Sequence, residues 1–171
     1  MRTVIVYESM YGNTHHVAES IAEAATGLGE VALVSVSGAT PEVLAGADFV
    51  FVGGPTHVHG MTSATSRHGA VADADKKHLE LDPDAEGPGL RDWFDAISEV
   101  KGTPAAAFDT RMEGPPAFTG RASKGIGKRL HRHGFRLIDE PESFLVNKEN
   151  HLIHGEAERA RLWATEVLAS R

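Results

Sequence analysis

Short apolar runs recur along this chain, each too brief for a buried helix and each followed by a stretch of helical periodicity. Thr3 to Tyr7 (TVIVY), Val31 to Val36 (VALVSV) and Asp48 to Val52 (DFVFV) are mostly apolar and rich in β-branched residues. A strand covered on both faces needs that composition, because neither side meets water. Thr103 to Phe108 (TPAAAF) is a fourth such run. Phe135 to Ile138 begins a fifth, which continues beyond Pro141 as Ser143 to Val146. Between the first two, Val17, Ala18, Ile21, Ala22 and Ala25 recur at helical spacing through Leu28, with Asn13 or Thr14 as the cap and Gly27 and Gly29 at the end. Pro41 to Ala45 forms a short helix behind Thr40. Leu90 to Val100, Ser123 to His133 and Glu156 to Ser170 complete the alternation. Right-handed crossovers then make an α/β doubly wound sandwich, a five-stranded parallel sheet with helices on both faces.

The 171 residues suit one domain, 1–171, with no internal repeat and no linker. Met61 to Gly89 is polar and lacks a clear strand, so it is expected as a long loop, with a marginal helix near Ser66–Lys77. There is no cysteine, which excludes a disulfide scaffold, a thiol nucleophile and a thiolate metal site. A net charge of −7 argues against nucleic acid as a partner. No apolar run of about 18 residues suggests a membrane span, and the N-terminus lacks signal-peptide features. A cytoplasmic enzyme or carrier is the expectation.

The turn after the first strand carries the most chemistry: Tyr7-Glu8-Ser9-Met10-Tyr11-Gly12-Asn13-Thr14. A helix N-terminus offers unpaired N–H groups and the positive end of a dipole, which suits an anion. The hydroxyls of Ser9 and Thr14 and the amide of Asn13 add hydrogen-bonding capacity, and Gly12 permits close approach of the backbone. The stretch holds no lysine or arginine, so any phosphate site here is neutral and dipole-based. The residues alone leave an anion site and an ordinary helix cap both open. Walker, dinucleotide and nucleophile-elbow patterns are absent.

A strand, then S-x-x-G-N-T, then an amphipathic helix resembles the phosphate loop of the flavodoxin family, over VIVYESMYGNTHHVAESIAEA. The resemblance implies a flavodoxin-like sandwich with strand order 2-1-3-4-5, FMN as cofactor, and Ser9, Met10, Tyr11, Gly12, Asn13 and Thr14 at its phosphate. The usual loop has threonine or serine where Tyr11 stands, and often Ser, Thr or Gly where Met10 stands. Glu8 is expected to point away from the anion. Gly53-Gly54-Pro55-Thr56-His57-Val58-His59-Gly60 resembles the loop that meets the flavin ring, which implies that Pro55, Thr56, His57, Val58 and Gly60 lie beside it. The third loop, Asp109 to Phe118, would bring Asp109, Thr110 and Arg111, with Phe118 as its one candidate stacking aromatic; its prolines depart from the pattern.

The implied activity is electron transfer with a redox partner protein or an NAD(P)H reductase. Two alternatives accompany it: an FMN-dependent NAD(P)H:quinone oxidoreductase, and a flavin-free binding or regulatory domain. No catalytic side chain and no metal are expected. His131 and His133 lie two apart on a helix and diverge, and His57-x-His59 has no nearby third ligand of the kind zinc requires. The basic helix carrying Lys124, Lys128, Arg129 and Arg132 is either a solvated face or a docking patch.

Overall fold

The computed structural model describes residues 1–171. β1 (Arg2–Tyr7) forms from the first apolar run, and α1 (Asn13–Thr26) follows it. Next come β2 (Glu30–Ser35), a single 3₁₀ turn, the short α2 (Pro41–Leu44) and β3 (Phe49–His57). β4 (Gly60–Met61) folds back on β3, and α3 (Ala64–Lys77) and α4 (Leu90–Ala96) lead to β5 (Pro104–Met112). The one-turn α5 (Pro116–Thr119), α6 (Ala122–Arg132), β6 (Arg136–Leu137), β7 (Glu142–Val146) and α7 (Glu156–Ala169) close the chain.

The sheet order is β2-β1-β3-β5-β6, with β7 also on β5 and every one of these pairs parallel. β6 pairs with the start of β5 and β7 with its end, so the two act as one interrupted fifth strand. The expected order 2-1-3-4-5 is thus observed. β4 is antiparallel to β3 and adds a hairpin at its tip.

Alternation along the central strands divides the core in two. Val4, Val6, Val50, Val52, Ala105 and Ala107 face α4 and α6, where Phe94, Ile126 and Leu130 are buried. Ile5, Phe49, Phe51, Ala106 and Phe108 face α1 and α7, against Val17, Ile21, Trp163 and Ala164. Each fully buried side chain of this size contributes roughly 1.5–3 kcal/mol. That burial on both faces is why the strands are nearly continuous in apolar residues.

Several boundaries differ from expectation. β3 does not stop at Gly53-Gly54-Pro55 but runs to His57. The two glycines act as close-packing residues rather than as a turn. A Cβ on Gly53 would lie 2.2 Å from the Phe108 ring, and one on Gly54 would lie 2.7 Å from Leu90. β5 likewise runs to Met112 rather than Phe108, because Phe108 to Met112 pair with Glu142 to Val146. The segment expected as a loop with a marginal helix holds a full 14-residue α3. Ser63 and Ser66 close its N-terminus by reciprocal hydrogen bonds of 3.1 and 2.9 Å, the capping-box arrangement. α4 ends at Ala96, short of the expected Val100, whose N–H bonds His133 O at 2.8 Å.

Overpacking a well-filled core typically costs about 1–3 kcal/mol. Gly53→Ala is therefore expected to lower stability by about that amount. The urea midpoint should fall while the slope of the transition stays unchanged.

Candidate functional site

The C-terminal ends of β1, β3 and β5 open onto a cavity of about 430 Å³. One end is the turn between β1 and α1. Gly12 occupies the N-cap with φ 89°, and its N–H donates to Ser9 Oγ at 3.1 Å. The expected caps, Asn13 and Thr14, are inside the helix and cap nothing. Asn13 Nδ2 donates to Asn150 O at 2.8 Å, and its Oδ1 accepts from Leu152 N–H at 3.0 Å. Thr14 Oγ1 pairs with Thr110 Oγ1 at 2.7 Å. The backbone N–H groups of Tyr11, Asn13, Thr14 and His15 donate to no protein group. The first turn of α1 also lacks an acidic residue. The helix dipole and the free donors are thus left available to an anion.

Glu8 is turned away from this end. Its buried carboxylate accepts from the Thr62 hydroxyl and, at 2.8 Å, from Leu90 N–H. Burial raises its pKa, against the opposing effects of these bonds and of Arg67.

The other end is built by two loops. Pro55, Thr56 and His57 finish β3, and Val58 and His59 form a two-residue hairpin turn with φ of 48° and 70°. Positive φ at both central residues is the geometry that matches strand twist in such hairpins. Non-glycine residues adopt it at a cost. The turn is held by a bridge between His59 and Gly120; a Cβ on Gly120 would lie 2.2 Å from His59 Cα. Thr56 Oγ1 accepts from Ala122 N–H at 2.9 Å and ties the loop to the start of α6. Phe118 and Met112 come from the loop beyond β5. Val58, Phe118 and Met112 are 86, 76 and 44% exposed, so the cavity has an apolar rim open to solvent.

The cavity brings together Ser9, Met10, Tyr11, Asn13, Thr14, Pro55, Thr56, His57, Val58, Thr110, Arg111 and Phe118 among the sequence candidates. Three candidates lie off its wall. Gly12 caps α1, and Gly60 pairs with His57 in the hairpin. Asp109 is fully buried on the opposite face of β5 from Thr110, where its Oδ2 accepts from Ser123 N–H at 2.7 Å. Strand alternation separates the two, since β5 continues through the stretch expected as a loop. Arg111 is not a free charge. Its Nη1 donates to Gly114 O at 2.8 Å and to Thr119 Oγ1 at 3.0 Å, which braces the third loop. Met112, Thr119, Val146 and Asn150, which the sequence did not single out, also line the cavity, as does His59, which the sequence weighed only as a metal ligand. Val146 and Asn150 arrive from β7 and the turn after it, far along the chain.

Burial lowers the pKa of His57, and the nearby Arg67 charge adds to the effect. No group of three or more His, Asp or Glu side chains is disposed to hold a metal ion. No helix is long and apolar enough to cross a membrane.

Residues 4–68 match the flavodoxin domain family model. A search of curated protein sequences finds no significant match. Among solved structures, oxidised Flavodoxin 1 from Bacillus cereus superposes with a TM-score of 0.69 at 19% identity, covering 100% of this chain and 99% of that one. The flavodoxin of Streptococcus pneumoniae TIGR4 gives a TM-score of 0.69 at 19% identity, with all of both chains covered. The flavodiiron protein of Giardia intestinalis gives 0.63 at 20% identity, covering 99% of this chain and 36% of that one. The chain has the flavodoxin fold, and residues 4–68, which hold β1, the turn after it, α1 and β3, match the flavodoxin domain model.

A histidine with a lowered folded-state pKa costs stability as pH falls. Below the ordinary value of 6.5 the unfolded chain takes up a proton that the folded chain refuses. His57→Gln is expected to remove that part of the loss. The thermal midpoints of the two chains should diverge, in favour of the variant, as pH drops from 7 to 5.

Proposed function

We propose that the chain binds FMN and serves as an electron-transfer protein. The observation that carries this reading is the uncapped N-terminus of α1, with its unpartnered N–H groups, at one end of a cavity whose other end has an apolar rim. That division suits a ligand with an anionic tail and a flat, largely apolar ring. Glu8 and Asp109, which adjoin the cavity residues Ser9 and Thr110 in the chain, are both directed into the protein, so neither opposes a phosphate.

The N–H groups of Tyr11, Asn13, Thr14 and His15 would hold the phosphate, with the Ser9 hydroxyl beside them. Val58 and Phe118 would cover the ring and exclude water from its faces. The hairpin turn from Thr56 to His59 would meet the ring with backbone groups. When bound, FMN supplies the redox chemistry and the protein supplies binding, orientation and electrostatic tuning. No side chain is needed as nucleophile or acid. The exposed rim leaves the ring edge within reach of a redox partner protein or an NAD(P)H-dependent reductase. The match to the flavodoxin domain over residues 4–68 supports the same reading.

Titration with FMN, followed by visible absorbance and quenching of flavin fluorescence, is expected to end at one FMN per chain. The reduced, loaded protein should pass electrons to a one-electron acceptor such as cytochrome c. No uptake at saturating FMN would sink the proposal. Gly12→Val should weaken uptake about tenfold or more. Its Cβ meets nothing within 4 Å, so the effect comes from φ, since a β-branched residue resists the left-handed conformation at a cost of about 1–3 kcal/mol.

A further inference from the structure

The segment from Thr62 to Leu90, which the flavin reading does not use, touches the phosphate turn at four successive places. Glu8 is held by Thr62 and by Leu90 N–H. The Tyr11 hydroxyl donates to Ala70 O in α3 at 2.8 Å. Met10 O accepts from Asp82 N–H at 2.8 Å. The Asp82 carboxylate, itself buried, meets His15 Nδ1 at 3.0 Å.

We propose that this segment is a clamp that sets the directions of the anion-binding N–H groups, with Asp82 and His15 as the positioning residues that give the chain its preference for phosphorylated flavin. The inference rests on the flavin reading above and goes beyond it in assigning the selectivity.

The planar peptide unit makes the link. The C=O of Met10 and the N–H of Tyr11 belong to one trans peptide and point in opposite directions. Binding the carbonyl to Asp82 therefore aims the Tyr11 N–H away from the segment, where it donates to no protein group. His15 anchors the next part of the cradle. Its ring stacks on Tyr7 at 4.4 Å. With Nδ1–H given to Asp82, Nε2 accepts from the Tyr7 hydroxyl at 3.1 Å. The hydroxyl is kept protonated, its pKa pushed up to about 12 by burial and by the charges of Asp82, Asp84 and Glu19. Asp82 is fixed in turn, because its Oδ1 accepts from Asp84 N–H at 3.3 Å. The first turn of α1 is thus pinned from β1 and from the clamp at once. Free N–H groups bind an anion well only when their directions are set beforehand, since ordering them on binding lowers affinity.

The test compares FMN with riboflavin, which carries the ring but no phosphate. Asp82→Ala and His15→Phe remove the bond between these side chains, and the phenyl ring keeps the stack on Tyr7. Both are expected to weaken FMN binding about tenfold, as loss of one charge-assisted hydrogen bond would, while riboflavin affinity changes less than twofold. Asp82→Asn keeps an acceptor oxygen for His15 and should retain most of the FMN affinity. Equal weakening of both flavins would overturn the clamp, because the defect would then be general. Unchanged or tighter FMN binding in Asp82→Ala would also overturn it, since the carboxylate would then act only by its charge or not at all. A wild-type chain that takes up no FMN would overturn the flavin reading as well, so the two failures are distinguishable.

Discussion

The pairing of β3 between β1 and β5 determines where the site can form. Gly53 and Gly54 let the strand continue under the Phe108 ring and Leu90, where a Cβ would collide with either. Because β3 continues, Pro55 pairs with Thr110 and the strand carries on to His57. The pairing brings the β5 end alongside the start of α1, and Thr110 meets Thr14 at 2.7 Å. One register therefore joins the β1–α1 turn, the β3–β4 hairpin and the loop after β5. The cavity follows from the parallel sheet, whose C-terminal strand ends face the same way.

The second organising feature is the distribution of charge. The proposed anion site, without lysine or arginine, depends on weak, directional sources: free N–H groups and a helix dipole. A carboxylate aimed at those N–H groups would weaken them, and Asp82, the one beside this turn, is directed at the His15 ring instead. Glu8 avoids this by bonding Leu90 N–H and Thr62 on the buried side, and Asp109 by bonding Ser123 N–H across β5. Both acids have raised pKa values, with burial as the largest cause. Desolvation is the cost of turning them inward.

The two departures from the usual phosphate-loop pattern have structural reasons. Met10 is buried and gives its carbonyl to Asp82. Tyr11 reaches across to Ala70 in α3. A serine or threonine in place of Tyr11 is too short to span that gap. The long polar segment and the altered turn residues thus belong together, each supplying partners for the other.

The alternation of apolar runs and helical periods was enough to determine the fold class, because burial on both faces of a parallel strand leaves a local imprint on composition; the strand order came from the resemblance of two turns to the flavodoxin family. The turn between β1 and α1 was legible because Ser9 to Thr14 form one contiguous stretch between a strand and a helix, and most of it lines the cavity. The ends of β3 and β5 were not legible, because Gly53-Gly54-Pro55 is also a turn sequence, and only its pairing with β5 makes it a strand. Asp109 was assigned to the site as a loop residue; β7 pairing extended the strand and turned it to the other face. The partners of Glu8 and Asn13, and the Asp82 partner of His15, lie 54 to 139 positions away, and no local pattern encodes such a distance. Sequence alone determined the alternating strands and helices of the sandwich and the turn where a helix N-terminus is open. Tertiary structure decided which side chains face the cavity, because side-chain direction depends on register and on what packs above.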